Sequence, residues 1–143
     1  MKCEQFDEVR NLTMAKYGGV GVKVELLSES DHHVPTPPGD WLTVTVKVTP
    51  VVPNPEPWAE EWYYGGFLHS TKKPVPLGVR PIDNQKLKSC VEVAKNLPIG
   101  FPLPEASCNL FWPLVPSVTE PLYQFVHGET VINIGGYTGE IRK

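Results

Sequence analysis

Residues Trp41–Pro50, with the sequence WLTVTVKVTP, decide the fold class of this chain. Leu42, Val44, Val46 and Val48 alternate with three threonines and a lysine. Successive side chains of a β-strand point to opposite faces of the sheet. A period of two therefore buries a branched aliphatic face and leaves a polar face in water. The stretch predicts a half-buried antiparallel strand.

The rest of the chain consists of short segments separated by prolines. The 143 residues include 16 prolines, about twice the usual share of ~5%, and proline cannot donate to a helix or a sheet ladder. Alternating valines predict another strand over Val20–Leu26, and residues 63–70 and 121–143 predict more. Residues 2–16 show a weak helical stripe. We expect one mainly-β domain over residues 1–143, an antiparallel barrel or sandwich with one short N-terminal helix.

Residue patterns in four further segments predict other local structures. Ser28–Asp40 is polar and proline-rich and predicts a loop. Leu87–Leu97 fits helical spacing and strand alternation, and we favour the strand. The glycines of Gly65–Gly66 predict a β-bulge or a close approach of backbones. A turn at His127–Glu129 separates the final strands.

Charge, hydropathy and cysteine usage narrow the function classes. The net charge of −3 and the pI of about 5.8 give no basic field for phosphates, which argues against a general nucleic-acid binder. No apolar run reaches the roughly 18–20 residues of a membrane span, and acidic residues stand where a signal peptide is apolar. The cysteines Cys3, Cys90 and Cys108 are odd in number and lack CxxC spacing. Together these features predict a cytoplasmic protein without the disulfide framework of a secreted one.

The stretch Val51–Gly66, VVPNPEPWAEEWYYGG, is the most plausible contact surface in the sequence. Pro53, Pro55 and Pro57 favour an extended, polyproline-like run, and aromatic side chains at this density are typical of interface hot spots. The glutamates would select a basic partner. The candidate binding residues are Trp58, Glu60, Glu61, Trp62, Tyr63 and Tyr64.

The same tryptophans have a second interpretation. If residues 58–62 form a helical turn, Trp58 and Trp62 share one side of it. They could then form an exposed surface, or fold back and close one end of a barrel, because tryptophans are usually largely buried.

Histidines supply the other chemical candidates. Asp31, His32 and His33 carry ligand types that suit a transition metal. Adjacent residues of an extended segment point in different directions, however, so we expect no metal site. His69 and His127, with Glu129, lie beside predicted strands and are the candidates for acid–base catalysis at a barrel mouth.

Two stretches resemble the C-terminal β-barrel domain of elongation factor Tu. Val22–Val46 is similar to the start of that domain, where a strand leads through a loop containing glycine and proline into the next strand. Tyr123–Ile141 looks like its closing strands. The matching positions there are Phe125, Val126, Gly128, Val131, Gly135, Thr138 and Ile141. The resemblance implies a six-stranded barrel that contacts other proteins or RNA and performs no catalysis.

The sequence therefore favours a non-enzymatic interaction module that contacts a basic protein partner through its acidic, aromatic segment. It predicts no cofactor and sets no oligomeric state. The alternative is a small enzyme or small-molecule binder that uses the barrel interior and its histidines.

Overall fold

The computed structural model describes residues 1–19, 21–36, 38–51 and 56–142. Val20, Pro53 and Pro55, on which part of the strand and polyproline predictions rested, lie outside these ranges. The helices are α1, Cys3–Ala15, and α2, Cys90–Ala94, with a short 3-10 turn at Leu103–Glu105. The strands are β1 Val22–Pro35, β2 Pro38–Pro50, β3 Trp58–Gly65, β4 Phe67–Lys73, β5 Ser107–Phe111, β6 Leu122–His127, β7 Thr130–Gly135 and β8 Ile141–Arg142.

All of these strands belong to one eight-stranded sheet with the order β4-β3-β2-β1-β5-β6-β7-β8. Every neighbouring pair is antiparallel. The prediction of a mainly-β chain with one short N-terminal helix is confirmed. Within the described ranges β4 and β8 are edge strands that do not pair with each other, so the sheet is not closed into a barrel.

The two longest strands, β1 and β2, form a hairpin across the predicted loop Ser28–Asp40. Their pairing runs from Val22 opposite Pro50 to Pro35 opposite Pro38, so the loop prediction is wrong. A β-bulge between Leu26 and Ser28 shifts the alternation by one residue. Beyond the bulge, the buried positions of β1 are acidic, which hid the strand period from sequence analysis.

The inner face of the sheet is the face on which α1 packs. Leu42, Val44, Val46 and Val48 are at most 1% exposed, as their alternation predicts. Phe6 of α1 is fully buried in the same core. The helix therefore covers β1 and β2 on this face of the sheet.

Buried charges connect α1 to this face. Arg10 donates to Glu29 on β1 at 3.2 Å, to the hydroxyl of Tyr123 on β6 at 3.4 Å, and to Asp7 at 2.6 Å. Arg10 is 4% exposed and Glu29 is 1% exposed. Burial raises the pKa of Glu29, and the neighbouring Arg10 opposes that rise. The cluster fixes the position of the helix on the sheet, since a buried charge without its partner is costly.

The segment Leu87–Leu97, predicted to be a strand, contains α2 instead. Ser89 caps it by accepting from the Glu92 amide at 3.1 Å, and Asp7 of α1 accepts from the Cys90 amide at 2.8 Å. The helical spacing of the sequence is therefore the correct interpretation, and the helix buries Cys90 and Val93. A disulfide joins Cys90 to Cys3, the first residue of α1.

The odd cysteine count argued against a disulfide framework, yet the structure contains one disulfide. The odd cysteine count reflects one bridge and one buried free thiol, Cys108. Among the helices in the described ranges, none has the length and apolar character required to cross a bilayer.

Glycines make both tight hairpin turns of the shorter strands. Gly65 is the last residue of β3, and Gly66, with φ of 80°, makes the turn to β4, so the pair marks a hairpin turn and not a bulge. Gly128 has φ of 60° between β6 and β7, in the turn that the sequence predicts at His127–Glu129.

Candidate functional site

Exposed aromatic side chains cluster on the outer face of the sheet, beside the β3–β4 turn. We call Trp41, Tyr63, Phe67 and His69 the aromatic patch. Each is an odd-numbered residue of β2, β3 or β4, whereas Leu42 and its fellow core residues are even-numbered and face α1. Trp41 is 62% exposed and Phe67 is 75% exposed. Scattered single apolar side chains are normal on a protein surface, whereas several large ones together form a patch that is often functional.

Direct contacts hold the patch together. Tyr63 lies opposite His69 in the β3–β4 register, and their rings stack with centroids 4.6 Å apart and an interplanar angle of 13°. The Phe67 ring lies 5.1 Å from that of His69. The rings are therefore oriented before any partner arrives, which reduces the entropy lost on binding.

Gly65 allows Trp41 to join this cluster. A Cβ atom at Gly65 would lie 3.3 Å from two carbons of the Trp41 side chain, which is tighter than an ordinary van der Waals contact. Phe67 pairs with Gly65 on the other side. Because Gly65 has no side chain, the Trp41 indole can lie over β3 next to Phe67.

A polar network borders the patch on the outer face. Glu61 accepts from Lys73 at 2.8 Å, from Thr45 at 3.3 Å, and from the hydroxyl of Tyr63. Burial alone would raise the pKa of Glu61, but these donors and the Lys73 charge outweigh it and lower the pKa. Glu61 is therefore ionised and neutralised within the protein.

The remaining residues of the predicted aromatic surface lie on the inner face. Residues 58–65 form β3 and not a helical turn, so Trp58, Trp62 and Tyr64 share a side through the strand period. The Trp62 indole donates to the Tyr17 hydroxyl at 2.7 Å, and Tyr64 shares a hydrogen bond with Thr13. All three side chains are half-buried, and Trp58 and Tyr64 pack against the core.

The charged side chains beside these aromatic residues also contact other groups of the protein. Glu60 is 6% exposed and accepts from the Trp58 indole at 3.0 Å and from Ser70 at 3.1 Å. The Lys72 ammonium lies 4.9 Å from the centre of the Trp58 ring. Of the predicted binding residues, Tyr63 alone belongs to the aromatic patch, and it is half-buried there.

A second constellation lies at the β1–β2 turn, at the same end of β2 as Trp41. His33 Nδ1 is 3.1 Å from Asp40 Oδ1. Asp31, 1% exposed, lies on the same face, and neither of its carboxylate oxygens accepts a hydrogen bond from the described residues. Burial and the neighbouring Asp40 raise the pKa of Asp31 to about 8. Asp31 is then protonated at neutral pH and can donate to Asp40, which in turn orients His33.

His33 also lines an open cleft of about 660 Å³ together with Ser107, Glu105 and His127. The backbone amide of His33 donates to Ser107 Oγ at 2.9 Å. His127 Nε2 is 3.6 Å from Glu105. The cleft thus has two imidazoles and a carboxylate at its wall, a composition that suits a small polar ligand.

The other histidine predictions do not converge on one site. His69 is on β4 and His127 ends β6, with four strands between them in the sheet order. Glu129 is exposed in the β6–β7 turn. Asp31 and His33 face inward while His32 faces outward. The described residues include no group of three or more acidic, histidine or cysteine side chains that could hold a metal ion.

Comparison with protein-family models, with curated proteins and with solved structures finds no match to this chain. Sequence analysis missed Trp41 and Phe67, two exposed members of the patch. The signal for Trp41 was present, because it continues the outward face of Thr43, Thr45 and Lys47.

Proposed function

We propose that this protein is a non-enzymatic interaction module that contacts a protein partner through the aromatic patch. One observation carries the proposal: Trp41 and Phe67 are 62% and 75% exposed while the rings beside them are in mutual contact. Keeping such rings in water forgoes burial worth roughly 1.5–3 kcal/mol for each large apolar side chain. A partner surface would recover that free energy.

Aromatic burial, and not charge, drives the proposed contact. The expectation of a basic partner rested on Glu60 and Glu61, but both carboxylates accept hydrogen bonds from within the protein. The partner that fits is therefore a protein surface with an apolar pocket or groove that accepts the Trp41 and Phe67 rings. Polar groups at its rim would meet His69 and the Tyr63 hydroxyl.

Affinity capture from the cells that contain this protein tests the proposal. The bait is the wild type, the double variant Trp41→Ala/Phe67→Ala, or the control Ile99→Ala, whose exposed side chain lies beyond α2. We expect a protein that the wild type and the control retain and the double variant loses. Identical retention by all three baits would refute the patch as the contact surface.

A second candidate function, binding or acid–base conversion of a small molecule, is supported by the His33–Asp40 pair at the cleft. His33 could hold or transfer a proton there, with Asp40 fixing its orientation. An NMR screen of small polar compounds tests this candidate. Compounds that shift the amide resonances of Ser107, His127 and Gly128 would support it, whereas no shift at these residues would exclude it.

A further inference from the structure

Strand β4 is an open edge of the sheet with uncovered faces. All seven of its residues are exposed, including Phe67 and Leu68. Within the described ranges it pairs only with β3, so one row of its backbone N–H and C=O groups faces outward. The opposite edge differs, because β8 has two residues and its Arg142 is bound to Glu120.

The charged side chains that could block this edge are turned away from it. Lysines on an edge strand normally prevent another strand from pairing. Here the Lys73 ammonium lies 2.8 Å from Glu61, and the Lys72 ammonium lies 4.9 Å from the centre of the Trp58 ring. Both Glu61 and Trp58 are on β3. The two lysines reach back over the sheet and leave the outer backbone row of β4 accessible.

We propose that β4 pairs antiparallel with β4 of a second copy of this chain, around a two-fold axis at Ser70. This register pairs the whole strand: Phe67 with Lys73, Leu68 with Lys72, His69 with Thr71, and Ser70 with itself. Each lysine then faces an apolar side chain of the other copy and never another lysine. Like charges directly opposite would destabilise the pair, and this register avoids them.

The dimer goes beyond the proposed function. The two sheets become continuous, and both aromatic patches lie on the same outer side, so a dimer presents two contact surfaces. A seven-residue strand pair is smaller than a standard interface of ~1,600 Å². We therefore expect reversible, concentration-dependent association.

Sedimentation velocity over a concentration series, up to about 1 mM, tests the proposal with variants at the axis. Ser70→Lys and Ser70→Glu each place like charges opposite each other, and each should weaken dimerisation by about tenfold or more. An equimolar mixture of the two should form a heterodimer, because opposite charges then meet. Ser117→Lys, in the exposed segment between β5 and β6, is the matched control and should dimerise like the wild type.

Three results would overturn the proposal. The wild type could stay monomeric, the single Ser70 variants could dimerise as well as the wild type, or the mixture of Ser70→Lys and Ser70→Glu could dimerise no better than either variant alone. Circular dichroism verifies that each variant is folded, since Ser70 donates to Glu60. Trp41→Ala, which leaves β4 intact, should retain the dimer. That variant separates failure of the dimer from failure of the patch as a partner surface.

Discussion

Tyr63 and His69 stand directly opposite each other on β3 and β4, with their rings stacked 4.6 Å apart on the outer face of the sheet. Cross-strand aromatic pairs of this kind stabilise a hairpin. The stacked rings of Tyr63 and His69 also form a fixed surface beside Phe67 and Trp41. The same contacts that hold β4 to the sheet therefore arrange the surface that we propose for a partner.

Substitutions at the neighbours Trp41 and Leu42 should differ greatly in their effect on the free energy of unfolding. Trp41→Ala removes an exposed side chain and should change the free energy of unfolding by about 0.5 kcal/mol or less. Leu42→Ala, on the inner face at 1% exposure, should cost about 2–5 kcal/mol. Urea denaturation of both variants measures the difference. A large loss for Trp41→Ala would mean that the indole belongs to the core and not to a contact surface.

The buried Arg10–Glu29 pair predicts a double-variant rescue. Arg10→Met leaves Glu29 buried without its cation and should cost about 3–5 kcal/mol. Replacing both, as Arg10→Met/Glu29→Leu, should recover most of that loss because Glu29 no longer leaves a buried carboxylate, and Asp7, which also loses Arg10, keeps the amides of Cys90 and Val91 as donors. Denaturation of the single and double variants gives the coupling energy. Strictly additive losses would show that the two groups do not interact.

The raised pKa of Asp31 predicts that the protein loses stability as the pH rises. Its pKa is about 8 in the folded protein, against an ordinary value of 3.8. The folded state therefore holds a proton that the unfolded state releases, and the resulting stability is complete below about pH 4 and is lost as the pH rises to about 8. Asp31→Asn should flatten this slope and raise the stability at pH 8 by roughly 1–3 kcal/mol.

Thermal unfolding of the wild type and Asp31→Asn between pH 5 and 9 measures this dependence. Glu129→Gln, at an exposed carboxylate, is the control and should follow the wild type. If the wild type and Asp31→Asn lose stability in parallel, the carboxyl of Asp31 does not carry the proton.

The Cys3–Cys90 bridge should contribute strongly to stability because it closes a long loop. The two cysteines are 87 residues apart, and a bridge of that span contributes about 2–5 kcal/mol. Cys3→Ala/Cys90→Ala should lose that amount in urea denaturation. Thiol titration of the unreduced, denatured wild type should find Cys108 alone. Three reactive thiols would contradict the bridge.

The sequence predicts the parts of the fold in which apolar and polar residues alternate regularly along a strand. The β2 core face and the β6–β7 hairpin follow directly from valines, isoleucines and glycines. Strand β1 does not, because its bulge shifts the period by one residue. Beyond the bulge, the acidic residues Glu29 and Asp31 occupy buried positions, beside Arg10 and Asp40 respectively. Helix α2 is short, and its stabilising contacts come from Asp7 and Cys3, which are distant in sequence.

The candidate site was only partly predictable for a similar reason. The density of aromatics near Trp58 pointed to the β3–β4 hairpin, but strand alternation divides that segment between two faces. Trp41 joins Phe67 only because β2 pairs with β3 and Gly65 leaves room between them. Contacts that depend on strand pairing leave no signal in a local stretch of sequence.

Photo-crosslinking at position 41 tests the central claim most directly. The chain carries p-benzoylphenylalanine in place of Trp41, or in place of the exposed Ile99 as control, and is irradiated in extract of its own cells. We predict a discrete crosslinked partner from position 41 alone, which excess wild type suppresses and excess Trp41→Ala/Phe67→Ala does not. The same products from both positions, or equal suppression by both competitors, would contradict the account.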